Sequence, residues 1–365
     1  MAQAVWAVWV LAYEGRGARP DNGLMQVFRG FQNPGIAPAC ALTIGNFDGV
    51  HRGHQAMLAL LRSEAMHRDL PSCVMTFEPY PRDYFATIAA TPDLAPARIA
   101  TLRDKLSELA RCGIDQVVVV RFNRALAAQA PQAFVDDVLL RGLGTKYVLV
   151  GDDFRFGAKR AGDYAMLGAA GQVAGFDVAR MNSYEVRGQR VSSSAVREAL
   201  AAGDMAGAEA LLGRPYSISG RVIHGKKLGR SLGASATGAS DGFRTLNLRF
   251  HHRRPAALGI YAVRTHGLAA KPIDGVASLG RRPTVDDSGR VLLEVHCLAW
   301  PETLGAEGGY GKLVRVELLH KLRDEARYDG LEALTAAIHS DTVNARAFLA
   351  AHAAQHRQTS RDRII

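Results

Sequence analysis

The chain has 365 residues, which is long enough for two domains that each have their own hydrophobic core. Apolar residues make up 48% and charged residues 22% of the chain, as in a soluble globular protein. The net charge of +10 permits nucleic acid as a partner but fits anionic small-molecule substrates equally well, and no basic tract is interleaved with aromatic residues.

The first 24 residues carry no clear targeting signal. Residues 1–13 are apolar, but they lack a basic start, are too short to span a bilayer and precede no convincing cleavage site. We expect residues 1–24 to be a disordered extension, with no membrane anchor. The cysteines form no close pair and mostly lie in apolar runs, which favours reduced thiols in a cytoplasmic protein. They are Cys40, Cys73, Cys112 and Cys297.

A glycine-rich turn separates the first buried strand from the first helix. The apolar run 39–44 predicts a strand, and helical periodicity begins near His54. Gly45, Gly49 and Gly53 keep the backbone of the turn bare, so a polyphosphate can approach amide groups at the positive end of a helix. The segment therefore predicts a phosphate-binding turn.

Two histidines lie in this turn. His51 and His54 are three residues apart, which places both imidazoles on one side, where each can donate a hydrogen bond to a phosphate oxygen during an in-line displacement. A metal site is an alternative, but no Cys or carboxylate lies nearby at ligand spacing. A purely structural glycine turn is a second alternative.

The rest of the first half alternates strands with helices. Residues 72–77, 116–120 and 147–150 are predicted strands, and residues 98–112 and 131–140 are predicted helices. Pro79 and Pro81 should end the strand at 72–77 and stiffen the loop that follows. This alternation predicts an α/β domain with a parallel sheet covered on both faces, whose active site lies at the carboxyl ends of the strands.

Two further segments carry candidate binding residues. The loop 151–157 contains Asp153, Phe154 and Arg155, which could hold a flat aromatic ring and a phosphate together, or simply brace a surface loop. The serines at 192–194 precede a helical run and could cap it. Arg197 would lie in the first helical turn, where a cation opposes the helix dipole unless an anion shares the position; an arginine reaching into solvent is the alternative.

The pattern changes to β-structure after residue 213. Six predicted strands with glycine-rich turns favour a small closed barrel, and a final helix is predicted at 331–355. The strands are predicted at 216–223, 245–250, 257–266, 275–279, 291–298 and 312–319. We expect a domain of residues 25–205 followed by one of residues 206–365.

Both halves resemble one known family. Residues 45–55, Gly-Asn-Phe-Asp-Gly-Val-His-Arg-Gly-His-Gln, resemble the nucleotide-binding signature of the nucleotidyltransferase superfamily, and most closely that of the FMN adenylyltransferase half of bacterial bifunctional riboflavin kinase/FAD synthetases. The segments 151–157 and 192–197 are similar to further motifs of that half. The second half resembles the riboflavin kinase module, most clearly at 213–216, 224–230, 259–261, 293–296 and 322–323. No Walker A sequence is present.

The resemblance implies a Rossmann-like nucleotidyltransferase domain followed by a six-stranded β-barrel riboflavin kinase domain with a C-terminal helix. It also implies roles for residues of the first domain: catalysis by His51, His54 and Arg197, ATP binding by the turn and the serines, and FMN binding by the 151–157 loop. The implied binding residues are Gly45, Phe47, Asp48, Gly49, Gly53, Asp153, Phe154, Arg155, Ser192, Ser193 and Ser194.

In the second domain, the resemblance implies a glycine loop at 225–233 for the nucleotide and Glu294 as the general base. Thr245 and Asn247 lie two apart on a strand, so both can offer oxygen ligands to Mg²⁺ on one face. Glu317 has a similar strand setting and is the alternative base. The implied nucleotide-binding residues are Gly225, Lys227, Gly229, Arg230 and Arg323.

The kinase motif departs from the family pattern at one point. Residues 234–242 form an insertion rich in Gly, Ser and Ala, and Arg244 stands where proline is usual. A polar insertion in a loop has a small thermodynamic cost, but this loop would border the nucleotide, so kinase activity could be slowed.

We therefore expect a cytoplasmic enzyme that converts riboflavin to FMN and FMN to FAD, with ATP and Mg²⁺, no nucleic-acid or membrane partner, and flavoenzymes as downstream acceptors. Three alternatives are an adenylyltransferase with another acceptor, a monofunctional FAD synthetase with an impaired kinase domain, and a nucleic-acid-binding protein that uses the positive charge.

Overall fold

A computed structural model of the chain describes residues 24–186, 188–224, 245–250, 254–281, 291–305 and 309–362. The chain forms two compact units. The first comprises Met1–Pro96 and Leu102–Ser192, and the second comprises Ala97–Thr101 and Ser193–Ile365. The short segment Ala97–Thr101 belongs to the second unit because its backbone pairs there: Arg98 N donates to Arg254 O at 2.8 Å, and Ala256 N donates to Arg98 O at 3.0 Å.

The first unit is built on a six-stranded parallel sheet with the order β1-β4-β3-β2-β5-β6. Its strands are β1 (Gln26–Arg29), β2 (Cys40–Ile44), β3 (Ser72–Phe77), β4 (Gln116–Val120), β5 (Thr145–Gly151) and β6 (Asp177–Met181). A short antiparallel hairpin follows, formed by β7 (Glu185–Val186) and β8 (Gln189–Arg190).

Helices cover this sheet on both faces. They are α1 (Arg52–His67), α2 (Pro81–Ile88), α3 (Leu102–Arg111), α4 (Arg124–Ala128), α5 (Pro131–Phe134) and α6 (Tyr164–Ala174), and α5 continues as a π-helical segment, Val135–Gly142. Side chains of β2 alternate between two cores: Cys40, Leu42 and Ile44 pack in one, and Ala41 packs in the other. The predicted parallel α/β fold is confirmed.

The second unit contains a closed antiparallel barrel of six strands with the order β10-β13-β12-β11-β14-β9. Its strands are β9 (Tyr216–Ile223), β10 (Thr245–Phe250), β11 (Gly259–His266), β12 (Ile273–Arg281), β13 (Val291–Cys297) and β14 (Leu313–Arg323). Two helices, α7 (Ser193–Ala202) and α8 (Met205–Leu212), precede it, and α9 (Leu331–Asp362) follows. The predicted barrel with a C-terminal helix is confirmed.

Side chains along β13 point alternately to the two faces of the barrel wall. Leu293 and Val295 are fully buried, whereas Glu294 and His296 are only half-buried. Leu246 of β10 lies opposite Val295, so the buried set forms the apolar interior. Glu294 and His296 therefore lie on the outer face.

Helix α9 packs on the outer face of the barrel. Ala345 and Leu349 of the helix join Ile260, Ala262 and Val276 in one apolar cluster. No helix among the described residues combines the length and the apolar character that crossing a membrane requires.

Candidate active sites

The turn between β2 and α1 has a strained backbone. Phe47 has φ = 49°, Gly49 has φ = 81° and Val50 has φ = 41°. A positive φ is ordinary for glycine but is an outlier for a β-branched residue, and each such residue costs about 1–3 kcal/mol. Gln55 holds the turn through a 2.8 Å hydrogen bond from Nε2 to the Val50 carbonyl. Such strain persists only where the surroundings enforce it, and it is concentrated at functional sites.

The two histidines of the turn lie together. His51 is the N-cap of α1, and its Nδ1 accepts a 3.3 Å hydrogen bond from the backbone N–H of His54. The two imidazole rings stack with their centroids 3.6 Å apart. Because Nδ1 of His51 accepts, the hydrogen of a neutral His51 ring lies on Nε2. The start of a helix and two imidazoles thus meet where the sequence predicts a phosphate.

Other predicted residues support the shape of this turn. Asp48 is 1% exposed and accepts a 3.3 Å hydrogen bond from the Tyr80 hydroxyl, so its carboxylate faces the protein interior. A Cβ atom on Gly53 would lie 3.3 Å from Nδ1 of His51, and one on Gly45 would lie 3.2 Å from the Phe47 ring. Any side chain at these glycines would press on the residues that shape the turn.

The loop after β5 lies at the same edge of the sheet as the turn, because β2 and β5 are parallel neighbours. Asp153 is exposed, and Phe154 stacks on Phe156 with ring centroids 5.6 Å apart. Arg155 Nη1 lies 3.4 Å from Asp163 Oδ2 in an exposed ion pair. The loop therefore offers an open carboxylate and an aromatic ring beside a weakly paired guanidinium.

Neighbouring Asp152 braces this loop. It accepts a 2.6 Å hydrogen bond from the Ser183 hydroxyl and lies 3.2 Å from Arg190 of β8. The Ser183 hydrogen bond, with the Arg190 charge, lowers the pKa of Asp152. Asp152 thus ties the loop to the β7–β8 hairpin.

An aromatic cluster lies beyond the carboxyl ends of β3 and β4 and was not predicted. Phe77, Tyr84, Phe85 and Phe122 make edge-on contacts with ring centroids 5.4–5.8 Å apart, and Phe85 remains 49% exposed. These rings come from three separate segments, so no single motif could reveal them. The cluster offers an aromatic surface at the predicted edge of the sheet.

The serine segment spans the division between the two units. Ser192 ends the first unit, whereas Ser193 and Ser194 begin α7 in the second. Arg197 lies in the first turns of α7, and its Nε donates a 2.6 Å hydrogen bond to the Ala97 carbonyl. Arg197 is therefore held by the protein and does not simply extend into solvent.

The outer face of the barrel brings together the predicted metal ligand and the predicted base. Asn247 of β10 lies directly opposite Glu294 of β13, and Thr245 lies opposite His296. Asn247 is 4% exposed, and its Oδ1 finds no hydrogen-bond partner within the part of the chain that the structure describes. A buried amide oxygen without a partner costs about 1–3 kcal/mol, and it is a ligand that Mg²⁺ accepts. This oxygen fits the predicted metal role.

The two candidate bases differ in their surroundings. Glu317 lies 2.7 Å from Arg315 Nη1 and 3.0 Å from His266 Nε2, so it is held by basic groups. Glu294 lies opposite Ser278 of β12, whose hydroxyl donates a 3.2 Å hydrogen bond to Glu325. Partial burial, together with the charge of Glu294, raises the pKa of Glu325. Glu294 thus lies beside a carboxyl group and opposite Asn247, and its role as the general base remains a prediction.

Arg323 forms a bidentate ion pair with Asp341 of α9 at 2.9 and 2.7 Å, which raises the pKa of the guanidinium. This pair fastens α9 to the end of β14, and nucleotide binding by Arg323 remains a prediction. The remaining predicted residues, Gly225, Lys227, Gly229, Arg230 and the insertion with Arg244, lie outside the described residues.

Together, the fold and these sites define a two-domain phosphate-transferring enzyme, with a nucleotidyltransferase-like α/β domain followed by a barrel. Comparison with known proteins matches a different family model to each half of the chain. The family model of FAD synthetase matches residues 34–195, and that of riboflavin kinase matches residues 212–349.

The chain belongs to the family of bifunctional riboflavin kinase/FMN adenylyltransferases. A family protein of Escherichia coli K12 is 46% identical over 326 residues, covering 89% of this chain and 98% of the relative. One from Haemophilus influenzae is 42% identical over 89% of this chain and 99% of the relative. A solved structure, described as a macrolide-efflux protein from Streptococcus pneumoniae, is similar in fold, with a TM-score of 0.67 and 25% identity over 88% of this chain and 98% of that one.

Proposed function

We propose that this chain makes FAD from riboflavin in two steps at two sites. The barrel transfers the γ-phosphate of ATP to the primary hydroxyl of riboflavin, giving FMN. The α/β domain then transfers AMP from a second ATP to the FMN phosphate, giving FAD and pyrophosphate. The proposal rests on one observation: the same chain contains a strained turn with His51 and His54 and, in its barrel, the buried amide oxygen of Asn247 opposite Glu294.

In the adenylyl transfer, the turn between β2 and α1 would hold the triphosphate at the start of the helix. A phosphate oxygen of FMN attacks the α-phosphorus of ATP, a new P–O bond forms, and the bond to pyrophosphate breaks. Hydrogen bonds from His51 and His54 would stabilise the negative charge that grows on the phosphates in this transition state. Arg197, Ser192, Ser193 and Ser194 are proposed to contact the same triphosphate.

The FMN substrate needs a flat apolar surface for its ring system and a cation for its phosphate. The cluster of Phe77, Tyr84, Phe85 and Phe122 supplies aromatic rings at the edge where the turn lies. The 151–157 loop supplies Phe154 and Arg155. We propose that the flavin lies between these two groups.

In the kinase step, Glu294 would accept the proton of the riboflavin hydroxyl as its oxygen attacks the γ-phosphorus and ADP leaves. Asn247 Oδ1 and the Thr245 hydroxyl would hold Mg²⁺, which neutralises phosphate charge when bound. The loop 225–233 is proposed to contact the nucleotide through Gly225, Lys227, Gly229 and Arg230, and Arg323 to act from the end of β14.

A flavin time course tests this proposal. The protein is incubated with riboflavin, ATP and Mg²⁺, and the flavins are separated by chromatography. FMN should appear first and FAD after a lag. No FAD from supplied FMN would refute the role of the α/β domain, and no FMN from riboflavin would refute that of the barrel.

We also propose that the enzyme works in the cytoplasm, where its free cysteines stay reduced and FAD passes to flavoenzymes. The positive charge would then serve anionic substrates, with no nucleic-acid partner. RNA binding that falls steeply with salt, without ATP turnover, would contradict this.

A further inference from the structure

A fully buried lysine lies behind the phosphate turn. Lys105 of α3 is 0% exposed. Its Nζ lies 3.1 Å from Thr76 Oγ1 and 4.4 Å from the centroid of the Tyr80 ring. An ammonium group is costly to bury, so it persists in a protein interior only where specific contacts compensate. These two contacts are therefore part of what keeps Lys105 in place.

Both contacts of Lys105 lead to the turn. The Thr76 hydroxyl donates a 3.2 Å hydrogen bond to the Asn46 carbonyl, and the Tyr80 hydroxyl donates one of 3.3 Å to Asp48 Oδ1. A hydroxyl that accepts from an ammonium group keeps its own hydrogen for the Asn46 carbonyl and donates it more strongly. Lys105 thus supports the residues on each side of Phe47.

The turn requires such support because Phe47 and Val50 both have positive φ angles. Strained residues keep their conformation only when neighbouring contacts enforce it. If those contacts were lost, the turn could relax and move His51 and His54, and a misplacement of about 1 Å can cost roughly 100-fold in rate.

We propose that Lys105 is a positioning residue of the adenylyl-transfer reaction. Its ammonium group, acting through Thr76 and Tyr80, holds the turn in the conformation that presents both imidazoles to the triphosphate. This inference rests on the proposed function of the turn, and it assigns to α3 a part in catalysis without contact with the substrate.

Two substitutions test the inference. Lys105→Met removes the charge but keeps a long side chain, and Thr76→Val removes the hydroxyl that accepts from Lys105 and donates to the Asn46 carbonyl. For each, kcat for FAD formation from FMN should fall about 10- to 100-fold, while KM for FMN changes little. Riboflavin phosphorylation by the same protein should be unchanged. Lys146→Met, at an exposed position on β5, is the matched control and should leave both rates unchanged.

The double variant separates positioning from independent damage. If Lys105 acts through Thr76, combining Lys105→Met with Thr76→Val should lower kcat no further than the worse single variant. Fully multiplicative losses would overturn the proposed link, and so would Thr76→Val with the wild-type kcat. If Lys105→Met fails to fold, kcat for FAD formation is measured in Thr76→Val and Tyr80→Phe instead, because each of these variants removes only one hydroxyl. A wild-type kcat in both would overturn the proposal.

The wild-type protein separates a failure of the positioning role of Lys105 from a failure of the proposed adenylyl transfer. A wild-type protein that makes no FAD from FMN and ATP would refute the proposed role of the turn. A wild-type protein that makes FAD, with Thr76→Val and Lys105→Met equally fast, would refute only the positioning role.

Discussion

His51 and His54 are held in different ways, although both lie in the phosphate turn. His51 is fixed by capping α1, whereas His54 is held through its ring, against His51 and at a centroid distance of 4.9 Å from Phe47. Substituting His51 would therefore disturb the helix start as well as the chemistry. His54 is the better probe of catalysis.

We predict that His54→Ala lowers the rate of FAD formation about 100-fold or more, because one donor to the transition-state phosphates is lost. FMN formation should continue at the wild-type rate. His67→Ala, at an exposed position in the last turn of the same helix, should change neither rate. Undiminished FAD output from His54→Ala would move the catalytic role elsewhere.

Glu294→Gln should have the opposite effect, because an amide cannot accept the proton of the riboflavin hydroxyl. Kinase turnover should fall by about 100- to 10,000-fold, with FAD formation from supplied FMN unchanged. Glu317→Gln is the comparison, since Glu317 is paired with Arg315. A larger kinase loss in Glu317→Gln than in Glu294→Gln would reverse the assignment.

Glu325 gives a pH-dependent prediction. Partial burial and the charge of Glu294 raise its pKa, so its ionised form destabilises the folded state. This cost is absent below the unfolded-state pKa, grows as the pH rises toward the folded-state pKa and is complete above it. Glu325→Gln should therefore raise the melting temperature of the second unit at about pH 8 and make little difference at about pH 4. An equal gain at both pH values would contradict this reading.

At the scale of elements, α9 is attached to the barrel by an apolar cluster and by the Arg323–Asp341 pair. Asp341→Asn keeps the shape of the side chain but removes its charge from a buried site. We expect the second unit to lose about 2–3 kcal/mol of unfolding free energy, measured by urea denaturation. Asp324 is an exposed ion-pair partner of Lys321, so Asp324→Asn should lower the unfolding free energy much less.

Elements with strong hydrophobic runs could be predicted from the sequence. The strands at 72–77 and 116–120 and the six barrel strands lie within a few residues of their predicted bounds. The edge strands β1 and β6 were not predicted, because their short polar-apolar mixtures carry weak patterns. Helix α2 was not predicted either, since Pro81 suggested a break but occupies the first helical position, where proline is favourable.

The candidate site residues were predictable where they lie in short consecutive motifs or where the family resemblance implied them. The turn with its two histidines is such a motif. The aromatic cluster, the Arg323–Asp341 pair and the contacts of Lys105 depend on how separate segments pack, which no local pattern encodes. The predicted helix at 98–112 begins only at Leu102, because Arg98 pairs with Arg254 and Ala256 in the second unit.

At the scale of the whole molecule, the chain combines two units with separate cores and separate proposed chemistry. FMN is the product of one unit and the substrate of the other. If the two sites act in succession, FMN can be released by one molecule and used by another. A variant with an inactive first unit and a variant with an inactive second unit should then complement each other when they are mixed.

The most direct test of this account is to mix purified His54→Ala and Glu294→Gln proteins with riboflavin, ATP and Mg²⁺ and to measure flavins by chromatography. Separately, the first should stop at FMN and the second should leave riboflavin unchanged. The mixture should form FAD. FAD from either variant alone, or no FAD from a mixture that accumulates FMN, would contradict the assignment of two successive reactions to these two sites.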